Sequence, residues 1–126
     1  DLWSLAGVLF ELATGRYLFD PRRTQARPAP LVGLARDSGK LPLEEEHLAQ
    51  IAELVGPLPE ALIRRGLLAK RLLSQRPGGG WTLQKAGLEM AGLPRCGLEE
   101  RLREHLDGEE EVVALQRLLE PMLRPE

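Results

Sequence analysis

Ten prolines and thirteen glycines break this 126-residue chain into short pieces, and that punctuation constrains its fold more than any other feature. Proline removes a backbone donor and glycine loosens the backbone, so neither suits the interior of a long helix or strand. Between the breaks the spacing is helical. Leu2, Leu5, Ala6, Leu9, Leu12 and Ala13 recur three and four residues apart, which predicts a helix over 2–14 with Gly15 placed to end it. Gly7 inside that helix costs up to about 1 kcal/mol against Ala, which points to a close approach by another backbone segment. Residues 20–42 hold Pro21, Pro28, Pro30, Pro42, Gly33 and Gly39 and read as loop.

Glu44–Val55 reads as a second helix with Leu48, Ile51 and Val55 on one side. Its three N-terminal glutamates suit the helix dipole, and Gly56-Pro57-Leu58-Pro59 ends it. Residues 60–73 are helix-permissive, with Leu62, Ile63, Leu67, Leu68, Leu72 and Leu73, and Pro77-Gly78-Gly79-Gly80 breaks the chain again. Trp81–Ala91 is a further helix candidate, with Thr82 as its N-cap. Leu98–Leu106 and Glu109–Leu123 are the last two, and Pro121 kinks or ends the final one. No strand-like alternation persists and no internal repeat is present. The expected fold class is all-α, as short helices joined by Pro/Gly turns.

Composition narrows the function. Aromatics are only 4% of the chain, so its core must be mainly Leu, Val and Ala. A net charge of -2 argues against a strongly basic nucleic-acid module. The basic run of Arg64, Arg65, Lys70, Arg71 and Arg76 lacks interleaved aromatics for base stacking and reads as a solvated helix face. Cys96 is the only cysteine, which excludes an internal disulfide and fits a reducing compartment. Cys96, His47 and His105 lack metal-ligand spacing, so no metal site is expected, and His47 reads as a packing or hydrogen-bonding residue. Ser4, Ser38 and Ser74 lack the Gly-x-Ser-x-Gly context of a hydrolase nucleophile. No apolar run approaches the ~20 residues that span a bilayer, and no signal-peptide pattern opens the chain. The start on Asp1 rather than a methionine suggests an incomplete chain.

Four blocks carry a resemblance. Asp1-Leu2-Trp3-Ser4, running into Phe10-Glu11-Leu12-Ala13-Thr14-Gly15 and Tyr17-Leu18-Phe19, resembles the start of the central large-lobe helix of eukaryotic protein kinases. Its wording looks most like the SR-protein kinases, which phosphorylate serines in arginine–serine repeats. Glu46-His47-Leu48-Ala49 through Glu53-Leu54-Val55-Gly56-Pro57-Leu58-Pro59 resembles a further segment of that family. Trp81 matches a Trp that opens a later family helix. Leu118-Leu119, Pro121-Met122-Leu123 and Pro125-Glu126 resemble the family's Leu-Leu-Pro-Met-Leu ending. The segment 60–80 matches weakly, and residues 92–110 match mainly as helix pattern.

The resemblance implies the helical C-lobe portion of a protein-kinase-like fold. It divides the chain into a central helix region (1–19), a loop (20–43), an acidic docking helix and turn (44–59), a divergent insert (60–80) and C-terminal helices (81–126). It implies a serine/threonine kinase parent acting on arginine–serine-rich splicing proteins in cytoplasm and nucleus, with no direct nucleic-acid or membrane contact. ATP and Mg²⁺ would bind outside this stretch. Phosphoryl transfer needs a Gly-rich loop, a strand Lys, a catalytic-loop Asp and a metal-binding Asp. None of the corresponding motifs occurs here. The expectation is that no catalytic residue lies within these residues and that this stretch alone transfers no phosphate. The alternative from another class is a non-catalytic module, or pseudokinase fragment, that binds Arg-rich partners.

The same resemblance assigns roles residue by residue. Asp1 would accept hydrogen bonds from backbone amides of the catalytic loop; as a residue it also reads as a plain helix cap. Trp3, Glu11 and Gly15 are scaffold positions, with Trp3 packed under the activation segment. Glu46 and Glu53 match acidic residues of the family's substrate-docking groove. Seven residues apart, they share a helix face ~10 Å apart along the axis. An extended Arg–Ser repeat presents same-face arginines at ~7 Å, and exposed pairs are worth only about 0–1 kcal/mol each, so affinity needs several. The plainer reading has Glu44–Glu46 complementing the helix dipole and Glu53 solvated. Arg16 stands where the family has an acid, and Met90 where it has a Lys on the helix opened by Trp. Both predict weaker or altered docking.

Overall fold

The computed structural model describes residues 1–21, 42–66, 69–85 and 87–124. Helix α1 spans Leu2–Thr14, the extent that the periodicity predicts. The Asp1 carboxylate accepts the Trp3 N–H at 2.9 Å, satisfying one of the first-turn donors that lack a helical partner. Gly15 closes the helix in the left-handed region (φ 74°), where a side chain would be strained, and its N–H donates to the Glu11 carbonyl. A Cβ built on Gly7 meets nothing within 4 Å, so the close backbone approach expected there is not made among the described residues. Most of the 20–43 loop lies outside the described residues.

Helix α2 spans Leu43–Val55 and carries Glu44, Glu45 and Glu46 in its first turn. The helix-permissive stretch that follows divides at Gly66 into α3 (Glu60–Arg65) and α4 (Ala69–Leu72), with Leu67 and Leu68 outside the described residues. The chain then departs from the all-α expectation. Strands β1 (Leu73–Gln75) and β2 (Trp81–Leu83) pair antiparallel, in the register Leu73–Leu83, Ser74–Thr82 and Gln75–Trp81. Gly78, Gly79 and Gly80 all take positive φ and turn the chain back, with Arg76 N–H donating to the Gly80 carbonyl at 3.0 Å. Trp81–Ala91 is therefore not a helix: Trp81 opens a strand, and Thr82 pairs across it instead of capping. Only a 3₁₀ turn, Met90–Gly92, forms near its end.

Helices α5 (Leu98–His105) and α6 (Glu109–Leu119) follow. Pro121 ends α6 as expected and starts a 3₁₀ turn over Pro121–Leu123. Arg103 ties the two helices together by pairing with Glu99 at 2.8 Å and with Glu109. Its guanidinium holds the Glu109 carboxyl below the usual carboxylate range. The described residues are thus mostly helical with one short hairpin.

Two apolar clusters flank α2. Ala49 and Ala52 meet Ile63, Leu73, Leu83, Leu88 and Leu93 in the first. Leu54 joins Ala6, Phe10, Leu18, Leu98, Leu102, Val112, Leu119 and Leu123 in the second. The fully buried apolar residues of α2 are therefore Ala49, Ala52 and Leu54, while Leu48, Ile51 and Val55 are half-buried. A helix between two clusters packs closely through small residues, and the bulkier side chains move to the margins. Arg101 joins α5 to the chain leaving α1, with its guanidinium over the Phe10 ring and a 2.9 Å bond to the Leu18 carbonyl. The far side of α1 presents Leu2, Leu5, Val8 and Leu12 to the surface. No helix among the described residues is long and apolar enough to cross a membrane.

Candidate functional site

Helical geometry puts Glu46, Gln50 and Glu53 on one side of α2, within about 60° of each other around the axis. Glu46 is 4% exposed, while Gln50 and Glu53 are half-buried. The expectation of two surface carboxylates is corrected at Glu46, and Glu53 is not fully solvated either. Gln50 occupies the centre of this face. Its Oε1 accepts the Asp20 N–H at 2.8 Å, and its Nε2 donates to the Asp20 carbonyl at 3.0 Å and to Glu46 Oε1 at 3.1 Å. The chain that leaves α1 through Tyr17–Asp20 is thereby fastened to α2. On the other flank, Cys96 N–H donates to the Glu53 carbonyl at 2.9 Å, so the approach to α5 runs along the same helix.

The other two first-turn glutamates have separate tasks. Glu45 is fully buried and accepts the Lys85 N–H with both oxygens at 3.2 Å, fixing the exit of the hairpin. Glu44 is exposed, 3.9 Å from Arg71. Complementing the helix dipole thus accounts for Glu44 but not for the buried pair.

Arg16 is exposed and carries its charge beside the start of the Tyr17–Asp20 segment. Met90 packs against the first cluster from its 3₁₀ turn, and the helix expected to carry it from Trp81 does not form. Trp3 is half-buried and stacks on Phe19, with ring centroids 5.6 Å apart, and His47 tilts against Phe19 at 5.9 Å. Both act as packing residues, and Asp1 as a helix cap. Glu11 is exposed, its carbonyl accepting the closing bond from Gly15. Cys96 is half-buried, and burial followed by the Glu104 charge pushes its thiol up, the opposite of an activated nucleophile. A cavity of about 340 Å³ lies between the end of α2, the start of α5 and the end of α6, lined in part by Val55, Arg95, Leu98, Gln116 and Arg124. None of Asp1, Trp3, Glu11, Gly15, Glu46 and Glu53 lines it.

Gln50 and Asp20 were not legible as site residues. The one available signal was spacing: Gln50 lies four residues after Glu46 and three before Glu53, the offsets that place side chains on one helix face.

No family model matches the chain. Curated relatives do. Serine/threonine-protein kinase SRPK of Physarum polycephalum is 31% identical over 127 residues, covering 100% of this chain and 25% of the relative. SRSF protein kinase 3 of Homo sapiens is 36% identical over 76 residues, or 60% of this chain and 11% of the relative. Serine/threonine-protein kinase SKY1 of Saccharomyces cerevisiae is 35% identical over 77 residues, or 60% of this chain and 8% of the relative. The chain spans a quarter or less of the length of these relatives. It is therefore related to the SR-protein-specific serine/threonine kinases, and it corresponds to a fragment of such a kinase.

Proposed function

We propose that this chain is part of the large lobe of a serine/threonine kinase, and that it contributes scaffold and substrate docking to the transfer of ATP phosphate onto serines of arginine–serine-rich splicing proteins. The observation that carries the docking role is the shared α2 face of Glu46, Gln50 and Glu53, in a chain whose relatives are named as SRSF and serine/threonine-protein kinases. A guanidinium that reaches the half-buried Glu53 forms a charge-assisted bond stronger than an exposed ion pair. The ~10 Å rise between positions 46 and 53 along the axis lets a repetitive ligand engage both.

Among the described residues no group of His, Cys, Asp or Glu could hold a metal ion. In this proposal ATP and Mg²⁺ belong to other parts of the longer protein. Its partners are arginine–serine-rich proteins in cytoplasm and nucleus, with neither nucleic acid nor membrane contacted directly. A second reading is a non-catalytic module that binds Arg-rich partners through the same α2 face.

Arg16 sets a test. Its cation repels an arginine-rich ligand, so Arg16→Asp is expected to tighten binding of an Arg–Ser repeat peptide by about threefold to tenfold at low salt. Fluorescence anisotropy of the labelled peptide reads this directly. Unchanged affinity would remove the docking assignment.

A further inference from the structure

We propose that Ser74 is a phosphorylation site: an arginine-directed serine/threonine kinase transfers a phosphoryl group from ATP to its hydroxyl, and Arg76 holds the phosphate that results. This inference stands apart from the docking reading above.

The hairpin presents Ser74 for such a reaction. Leu73 is buried in the first cluster, and side chains alternate along a strand, so Ser74 faces outward and is exposed. Lys70 and Arg71 lie four and three residues before it, both exposed, at the end of α4. A kinase that reads basic residues ahead of its serine recognises that charge pattern. The other serine and threonine hydroxyls among the described residues are placed less well. Ser4 follows Asp1-Leu2-Trp3, which carries no basic side chain, and Thr82 is half-buried. Thr14 is half-buried too, and its hydroxyl donates to the Phe10 carbonyl at 2.8 Å. Kinases take their acceptor as an extended segment, and β1 is already extended. It is held by three residue pairs and followed by a turn of three glycines, so it can open locally.

The same face supplies a partner for the product. Ser74 stands opposite Thr82, and Thr82 opposite Glu89, so the three share one face. Arg76, two residues on from Ser74, lies on that face and pairs with Glu89 across it. In the transfer, Ser74 Oγ bonds to the γ-phosphorus of ATP as the bond to the ADP oxygen breaks, and the hydroxyl proton passes to the kinase's catalytic carboxylate. The phosphate carries nearly two charges and three acceptor oxygens, so it takes the Arg76 guanidinium from the singly charged Glu89. The exchange releases the side-chain tie between the hairpin turn and the chain entering the Met90–Gly92 turn.

The test incubates the full chain with ATP, Mg²⁺ and the catalytic subunit of cAMP-dependent protein kinase, an arginine-directed enzyme, and locates phosphate by mass spectrometry. One phosphate at Ser74 is expected. Arg71→Ala should lower the initial rate about tenfold, the loss of one charge-assisted contact, with circular dichroism confirming that the variant folds. In the phosphorylated chain, ³¹P NMR should show the phosphate titrating below its ordinary midpoint of about 6, and about half a unit higher in Arg76→Ala. Phosphate placed elsewhere or not at all, or a rate that Arg71→Ala leaves unchanged, would overturn Ser74 as the recognised site. A titration that Arg76→Ala does not move would overturn the role of Arg76.

Discussion

Phe10→Ala is expected to destabilise the chain by about 3–5 kcal/mol, the range for truncating a buried aromatic that leaves a cavity. Phe10 is 0% exposed and lies in the cluster that joins α1 to α2, α5 and α6. Arg101 covers one face of its ring at 5.7 Å, and His105 meets it edge-on at 6.5 Å. Truncation removes packing atoms and also the surface on which Arg101 rests while it holds the Leu18 carbonyl. Domains of this size have total stabilities of about 5–15 kcal/mol, so a large part of the folded population would be lost. Urea unfolding followed by circular dichroism measures it. Leu12→Ala, on the same helix at 78% exposure, serves as the comparison and should shift the transition by less than about 0.5 kcal/mol. Equal effects at the two positions would mean that α1 is not packed through Phe10.

The second large effect concerns binding. Replacing Glu46 and Glu53 together with glutamine keeps their shape and removes two charges. Hydrogen bonds to charged groups contribute about 1.5–3 kcal/mol each, so an Arg–Ser repeat peptide should bind the double variant at least about tenfold more weakly. The loss should be greatest at low ionic strength, where the Debye length exceeds the ~10 Å between the two side chains. The Gln50 amide can still donate to a glutamine at position 46, so the fold should persist, and circular dichroism checks that it does. A double variant that binds as tightly as the native chain would separate these two residues from arginine recognition.

Much of the helical frame was readable from local chemistry. Helix α1 declared itself through apolar spacing, and its end through Gly15, because both signals are carried by the residues that form the element. The hairpin did not. Strands of three residues, Leu73–Gln75 and Trp81–Leu83, are too short for alternation to register, and they are fixed by contacts with each other. Pro77-Gly78-Gly79-Gly80 was readable as a break, but whether a break separates two helices or reverses a hairpin depends on what pairs across it. The fully buried positions of α2 left less trace in the sequence. Large side chains mark a core face when a helix packs on one side, whereas α2 packs on two and uses Ala49 and Ala52 for close approach.

The candidate site was legible in part. The seven-residue offset of Glu46 and Glu53 fixed their common face, but burial at Glu46 depends on tertiary packing that spacing does not encode. The Gln50–Asp20 clamp joins residues 30 apart through main-chain groups, which leave no side-chain signature in a sequence. The helix expected to carry Met90 was lost to the hairpin: Trp81 opens a strand, and Met90 lies in a 3₁₀ turn.

The most direct measurement is an amide-resolved NMR titration of the isotopically labelled chain with an Arg–Ser repeat peptide. The account predicts saturable shifts concentrated at residues 16–20 and 46–53, with the hairpin at 73–83 little changed. Shifts centred on the hairpin, or no saturable shift anywhere, would contradict the assignment of arginine docking to the α2 face.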